Sequence, residues 1–97
     1  MVVGVLRLII DVPESRSLKD KRSVIRSLKD RIGAKFKVAV AEVGLLDNLR
    51  QGELGIVCVS NDGRQADEIL ARIADFAESN CGDGLLSWFG TEIINLG

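Results

Sequence analysis

From Val2 to Val12 the chain is apolar at both alternations, and this stretch restricts the available folds more than any other. The even positions Val2, Leu6, Leu8, Ile10 and Val12 are hydrophobic, whereas the odd positions Val3, Val5, Arg7, Ile9 and Asp11 are mixed. The stretch is rich in β-branched residues and ends at Pro13. A strand apolar on both faces belongs inside a sheet, here with its even face on the core. Arg7 interrupts the run, no cationic segment precedes it and no small-residue cleavage site follows, so it reads as a first strand and not as a signal peptide. It is also too short to span a bilayer.

The next stretch, residues 17–32, reads as an amphipathic helix. Ser17 is its N-cap, with Asp20 three residues on as an imperfect capping box, and Gly33 is the expected stop. At about 100° per residue, Leu18, Val24, Ile25, Leu28 and Ile32 share one arc. Lys19, Arg22, Arg26 and Lys29 fill the neighbouring arc with no acid among them. Their i,i+3 and i,i+4 repulsions cost roughly 0.2–0.5 kcal/mol each, so an acid elsewhere in the fold or an external anion must offset them. Lys21 falls inside the apolar arc. Either it snorkels to the surface or its ammonium serves a partly buried acid such as Glu42.

Residues 36–43 read as a second strand, with a break in alternation over Ala41-Glu42-Val43 that signals either a bulge or a change of exposure at Glu42. A loop over 44–52 leads to a third strand, 53–60. Asn61 or Asp62 caps a second helix, which buries Ala66, Ile69, Leu70, Ile73, Phe76 and Ala77 and turns an acidic face outward. A turn over 81–84 precedes a last strand, 85–96. The order βαββαβ within 97 residues makes a single α+β domain over 1–97. Its expected form is a ferredoxin-like sandwich: a four-stranded antiparallel sheet with both helices on one face. The other face is left open with Val3, Val5, Ile9, Val57 and Val59, and an apolar surface of that kind marks self-association as a dimer.

Several chemistries are excluded by composition. The chain has no His, which removes Ser-His and Cys-His pairs and the usual zinc ligands. The glycines are dispersed and form no phosphate-binding loop. Acids are scattered across elements without metal-ligand spacing; Glu42 and Asp47 could meet near the end of the second strand, but read as solvated loop residues. The expectation is a non-enzyme without metal or cofactor. Cys58 reads as a small buried hydrophobe and Cys81 as an exposed thiol. With no disulfide framework, both suit a reducing cytoplasm. Acylphosphatases share this fold, but here Arg16 is the lone anion clamp in the first loop and the second strand has no Asn. RNA-recognition domains share it too and stack bases on aromatics of their first and third strands, which this sequence lacks.

The segments Val3-Gly4-Val5-Leu6-Arg7, Ser15 to Arg22, Val40-Ala41-Glu42-Val43, Glu53-Leu54-Gly55-Ile56 and Ser60-Asn61-Asp62 resemble the bacterial YlxP-like family, domain of unknown function 503. The resemblance runs from residue 1 to about residue 80, and Ser17-Leu18-Lys19-Asp20-Lys21-Arg22 is its most specific block. It implies a ferredoxin-like fold without established enzymatic activity, and a ribosome- or RNA-linked role through gene neighbourhood. After Ala-Glu-Val the family continues with a polar Asp-His-Gln-Asp and an aromatic. Here the positions read Gly44, Leu45, Leu46 and Asp47, with Leu49 in place of the aromatic, so a polar site on that loop is mostly lost.

Charge is unevenly distributed. Residues 1–37 carry ten Lys or Arg against four acids, and residues 38–97 carry three against ten. The leading expectation is an accessory protein binding structured RNA, ribosomal RNA or a ribosomal particle, through Arg16, Lys19, Lys21, Arg22, Arg26 and Lys29. Contact would be with phosphates, without sequence readout of DNA. The alternatives are a homodimeric interaction module and a small-ligand sensor using the open sheet face. A further account of the stripe needs no partner at all: Arg22 or Arg26 could pair with Asp67, Asp75 or Glu78 of the second helix, at about 0–1 kcal/mol per exposed pair.

Overall fold

The computed structural model describes all residues, 1–97. The elements run β1 (Val2–Asp11), α1 (Leu18–Phe36), β2 (Ala39–Gly44), β3 (Gln51–Ser60), α2 (Gly63–Ser79) and β4 (Leu85–Asn95). The sheet is antiparallel with order β2-β3-β1-β4. As its two-sided apolarity requires, β1 is internal, and its even residues Leu6, Leu8 and Ile10 are fully buried. They meet Ile25, Leu28 and Ile32 of α1 and Ala66, Leu70, Ile73 and Ala77 of α2 in one core. α1 lies over β2 and β3, and α2 over β1 and β4, so both helices cover the same face.

Helix α1 starts as its sequence demands. The Ser17 hydroxyl accepts from the Asp20 amide (3.1 Å), and the Asp20 carboxylate accepts from the Arg16 amide (3.3 Å). Its end differs from expectation. The helix passes through Gly33 and stops only at Lys37, which takes the left-handed conformation (φ 52°). Phe36 supplies the reason, since it belongs to the helix and packs edge-to-face on Phe76 of α2 at 5.5 Å. An aromatic contact of this type adds about 0.5–1.5 kcal/mol to the burial of two large rings, which outweighs the roughly 1 kcal/mol a mid-helix glycine costs. Strand β2 therefore begins at Ala39, three residues later than the alternation suggests, and β3 begins two residues earlier, at Gln51.

The bulge lies where the pattern breaks. The β2–β3 register shifts between Glu42 and Gly44, leaving Val43 as the extra residue. A second irregularity, in β4 between the partners of Ile9 and Ile10, leaves Ser87 unpaired in the ladder, with its hydroxyl donating to the Ile9 carbonyl. Asp62, the second of the two capping candidates, caps α2 by accepting from the Arg64 amide. Cys58 is buried as expected, but Cys81 is buried too, which corrects the exposed reading. Its Sγ donates to the Ala77 carbonyl (2.7 Å) at the end of α2, and burial pushes its pKa above the ordinary thiol value.

Candidate nucleic-acid interface

The rotation of α1 about its own axis decides what its cations face. Arg31 donates to the Asn80 carbonyl at the end of α2 (2.6 Å), so its flank is the one turned toward the second helix. At about 100° per residue, Arg22 lies roughly 180° around the helix from Arg31, Lys29 roughly 160°, Arg26 roughly 140° and Lys19 roughly 120°. The stripe thus points away from the acids of α2. The two ion pairs of the structure are Arg7–Glu53 and Lys21–Glu42, and neither involves a residue of the stripe. The pairing of Arg22 or Arg26 with Asp67, Asp75 or Glu78 is not made.

Lys19, Arg22 and Arg26 are exposed, as is Arg16 just before the helix, whereas Lys29 is half-buried on the β2 side. Over the small side chains of Ser23 and Ser27 the surface dips into a shallow groove walled by Lys19, Arg22, Arg26 and Arg31. Asp30 is the single acid in that groove, and no hydrophobic residue lines it.

Lys21 must be removed from the surface set. Its side chain is fully buried, and its ammonium donates to the Leu45 carbonyl (3.0 Å), the Leu46 carbonyl (3.4 Å) and Glu42 (3.5 Å). Of the two readings open for this residue, snorkelling fails and service to a partly buried acid holds. What the sequence does not disclose is the pair of main-chain acceptors. They lie in the loop after β2, where Leu45 adopts the left-handed conformation (φ 56°). Main-chain carbonyls are available whatever the side chains are, so the clamp exists although the loop lacks the polar residues of the resemblance. Glu42 and Asp47 do not form a joint site: Glu42 is held by Lys21 while Asp47 is exposed.

On the open sheet face, Val3, Val5 and Ile9 are half-buried while Val57 and Val59 are exposed. The face also carries a feature that sequence reasoning missed. Arg7 donates from Nε to Glu53 (2.6 Å), and its guanidinium lies 5.6 Å from the centre of the Trp88 ring. Arg7 is the one charge in the middle of β1, and antiparallel pairing puts it on the same face as Glu53. The register needed to bring Trp88 beside it depends on the Ser87 bulge, which the local pattern does not announce.

The sequence matches the model of a protein family of unknown function, DUF503, over residues 3–88. The chain belongs to the DUF503 family. It is 33% identical over 66 residues to the uncharacterized protein YlxP of Bacillus subtilis (strain 168), covering 68% of this chain and 72% of YlxP. In three dimensions this DUF503 member resembles a de novo designed protein with a ferredoxin fold, at a TM-score of 0.58 and 12% identity, over 100% of this chain and 88% of the design. It also resembles a C-terminal segment of the alpha subunit of aIF2 from Pyrococcus abyssi, at a TM-score of 0.50 and 17% identity, over 99% of this chain and 51% of that segment. At such identities the likeness concerns the fold alone. No helix of this DUF503 chain is long and apolar enough to cross a membrane.

Proposed function

We propose that this DUF503 protein is a non-enzymatic, cytoplasmic accessory factor that binds structured RNA or a ribosomal particle along α1. One observation carries the reading: Arg16, Lys19, Arg22, Arg26 and Lys29 stand outside both ion pairs, and the four on α1 face away from the acidic helix. A like-charged stripe outside the ion pairs, with Asp30 as the single acid in its groove, suits a polyanion, because phosphates relieve the repulsion between neighbouring cations. Two unpaired cysteines with no partner sulfur are in keeping with a reducing compartment.

The deciding measurement is fluorescence anisotropy against fragmented ribosomal RNA over a salt series. Engagement of about four phosphates predicts a log–log salt slope near −3, using about 0.7–0.9 per contact. Arg22→Glu/Arg26→Glu should abolish binding while leaving the circular dichroism spectrum unchanged. A shallow slope, or full binding by the folded double variant, would remove the stripe from the account.

A second reading, self-association through Val3, Val5, Ile9, Val57 and Val59, is favoured by the 67% exposure of Val59 and the 40% exposure of Val57 on the open sheet face. Sedimentation velocity tests it directly, with the monomer expected from Val57→Lys/Val59→Lys.

A further inference from the structure

The open sheet face holds an arginine in an unusual setting. In register, Arg7 lies between Gly55 on β3 and Gly90 on β4, so no side chain stands directly opposite it on either neighbouring strand. Each glycine instead lies beneath a large neighbour. A Cβ at Gly90 would come within 2.6 Å of the Trp88 ring, and a Cβ at Gly55 within 2.9 Å of Val43. Trp88 and Glu53 hold the guanidinium from its ring face and its Nε edge. The two terminal amino groups donate to no protein atom, and the side chain remains 56% exposed. A guanidinium fixed in this way presents its outer fork in the geometry that receives two oxygens of one anion.

Beside the fork runs an apolar trough of about 380 Å³ toward β2, floored by Gly55 and the small side chains Ala39 and Ala41 and walled by Val5, Val43 and Val57. The volume lies in the range of small-molecule sites, and Arg7 supplies its one charge. Glu53, and Glu92 on the far side of Arg7, keep the surroundings from being strongly positive. The two carboxylates outnumber the guanidinium, so an anion is held here only by direct bonds to the fork, and a phosphate dianion or a polyanion is repelled more strongly than a monocarboxylate.

We propose that this trough is a binding site for a small amphipathic monocarboxylate, its carboxylate on the Arg7 fork and its alkyl or aryl body along Ala39, Ala41 and Val57. The site is separate from the α1 stripe and does not depend on the RNA reading. It lies on the face that would also serve self-association, and the two occupants would compete for it.

Trp88 is the single tryptophan of a chain without tyrosine, and it touches the fork, so its emission reports the site without any label. Titration with octanoate and then decanoate, both kept below micelle formation, should give a saturable emission change. The dissociation constant should fall about fourfold per added methylene. Octyltrimethylammonium, with the same tail and opposite charge, should give no saturable change. Arg7→Gln, which removes the fork, and Ala41→Leu, which fills the trough but leaves the fork, should each weaken decanoate binding at least about tenfold with thermal melting still cooperative. Unchanged affinity in either folded variant, or an equal response to the cationic amphiphile, would overturn the site. So would a wild-type protein that sediments as a dimer throughout the titration with Trp88 already shielded and unresponsive, because the face would then belong to a second copy.

Discussion

Lys21 is where a single side chain does most to tie separate regions of the chain together. Its ammonium joins the first turn of α1 to the end of β2 and to two carbonyls of the loop beyond it. Removing it leaves those acceptors without a donor and opens space in the core. Lys21→Ala is therefore expected to lower unfolding free energy by about 2–4 kcal/mol in urea titrations. Glu42→Gln should cost only about 1 kcal/mol, because Nζ keeps both carbonyls and the exposed portion of Glu42 is already hydrated. A larger loss from Glu42→Gln than from Lys21→Ala would mean that the carboxylate, and not the main chain, anchors the lysine. The helical pattern already places Lys21 in the apolar arc, and even Glu42 is visible in the sequence as a partner. The carbonyls are not, because a loop's main-chain direction depends on the left-handed turn at Leu45, and leucine does not advertise that conformation.

At the level of elements, order and burial follow from periodicity, and the misplaced boundaries have physical causes. Gly33 carries the signature of a helix stop, yet tertiary contact overrides it, since Phe36 reaches Phe76 only if the helix continues. Because nothing lies within 4 Å of a Cβ built at Gly33, the glycine does not serve close packing there. Gly33→Ala should therefore stabilise the protein by about 0.5–1 kcal/mol, read as a raised urea midpoint with unchanged m-value. Destabilisation instead would show that the helix needs its glycine for a bend or a backbone approach. Cys81 departs from its sequence reading for a related reason. The dipeptide with Gly82 looks like an exposed turn, but its thiol caps the last turn of α2 through Ala77, and no local signal carries that bond.

For the molecule as a whole, composition reveals that the first 37 residues and the remainder are oppositely charged, but not whether they neutralise each other. That depends on how α1 is rolled against α2, which one contact, Arg31 to the Asn80 carbonyl, makes plain. The result is a domain with a basic flank over the β2 edge and an acidic outer face on α2, and the proposed RNA contact relies on that separation. The chain ends carry a different consequence. Met1 and Leu96 are joined by two main-chain bonds, one in each direction, and from there β1 and β4 run side by side and antiparallel. Tension applied to the two ends pulls across this ladder, along its hydrogen bonds, so the rungs break in succession from Val2–Asn95 toward Arg7–Gly90. The same ladder loaded along its strands would have to lose many rungs at once. In an optical trap the domain should open at clearly lower force when held by its termini than when held through cysteines placed at positions 30 and 92, with Cys58 and Cys81 replaced. The seam between β1 and β4 would thus act as a zip, yielding rung by rung to force applied near Met1 and Leu96.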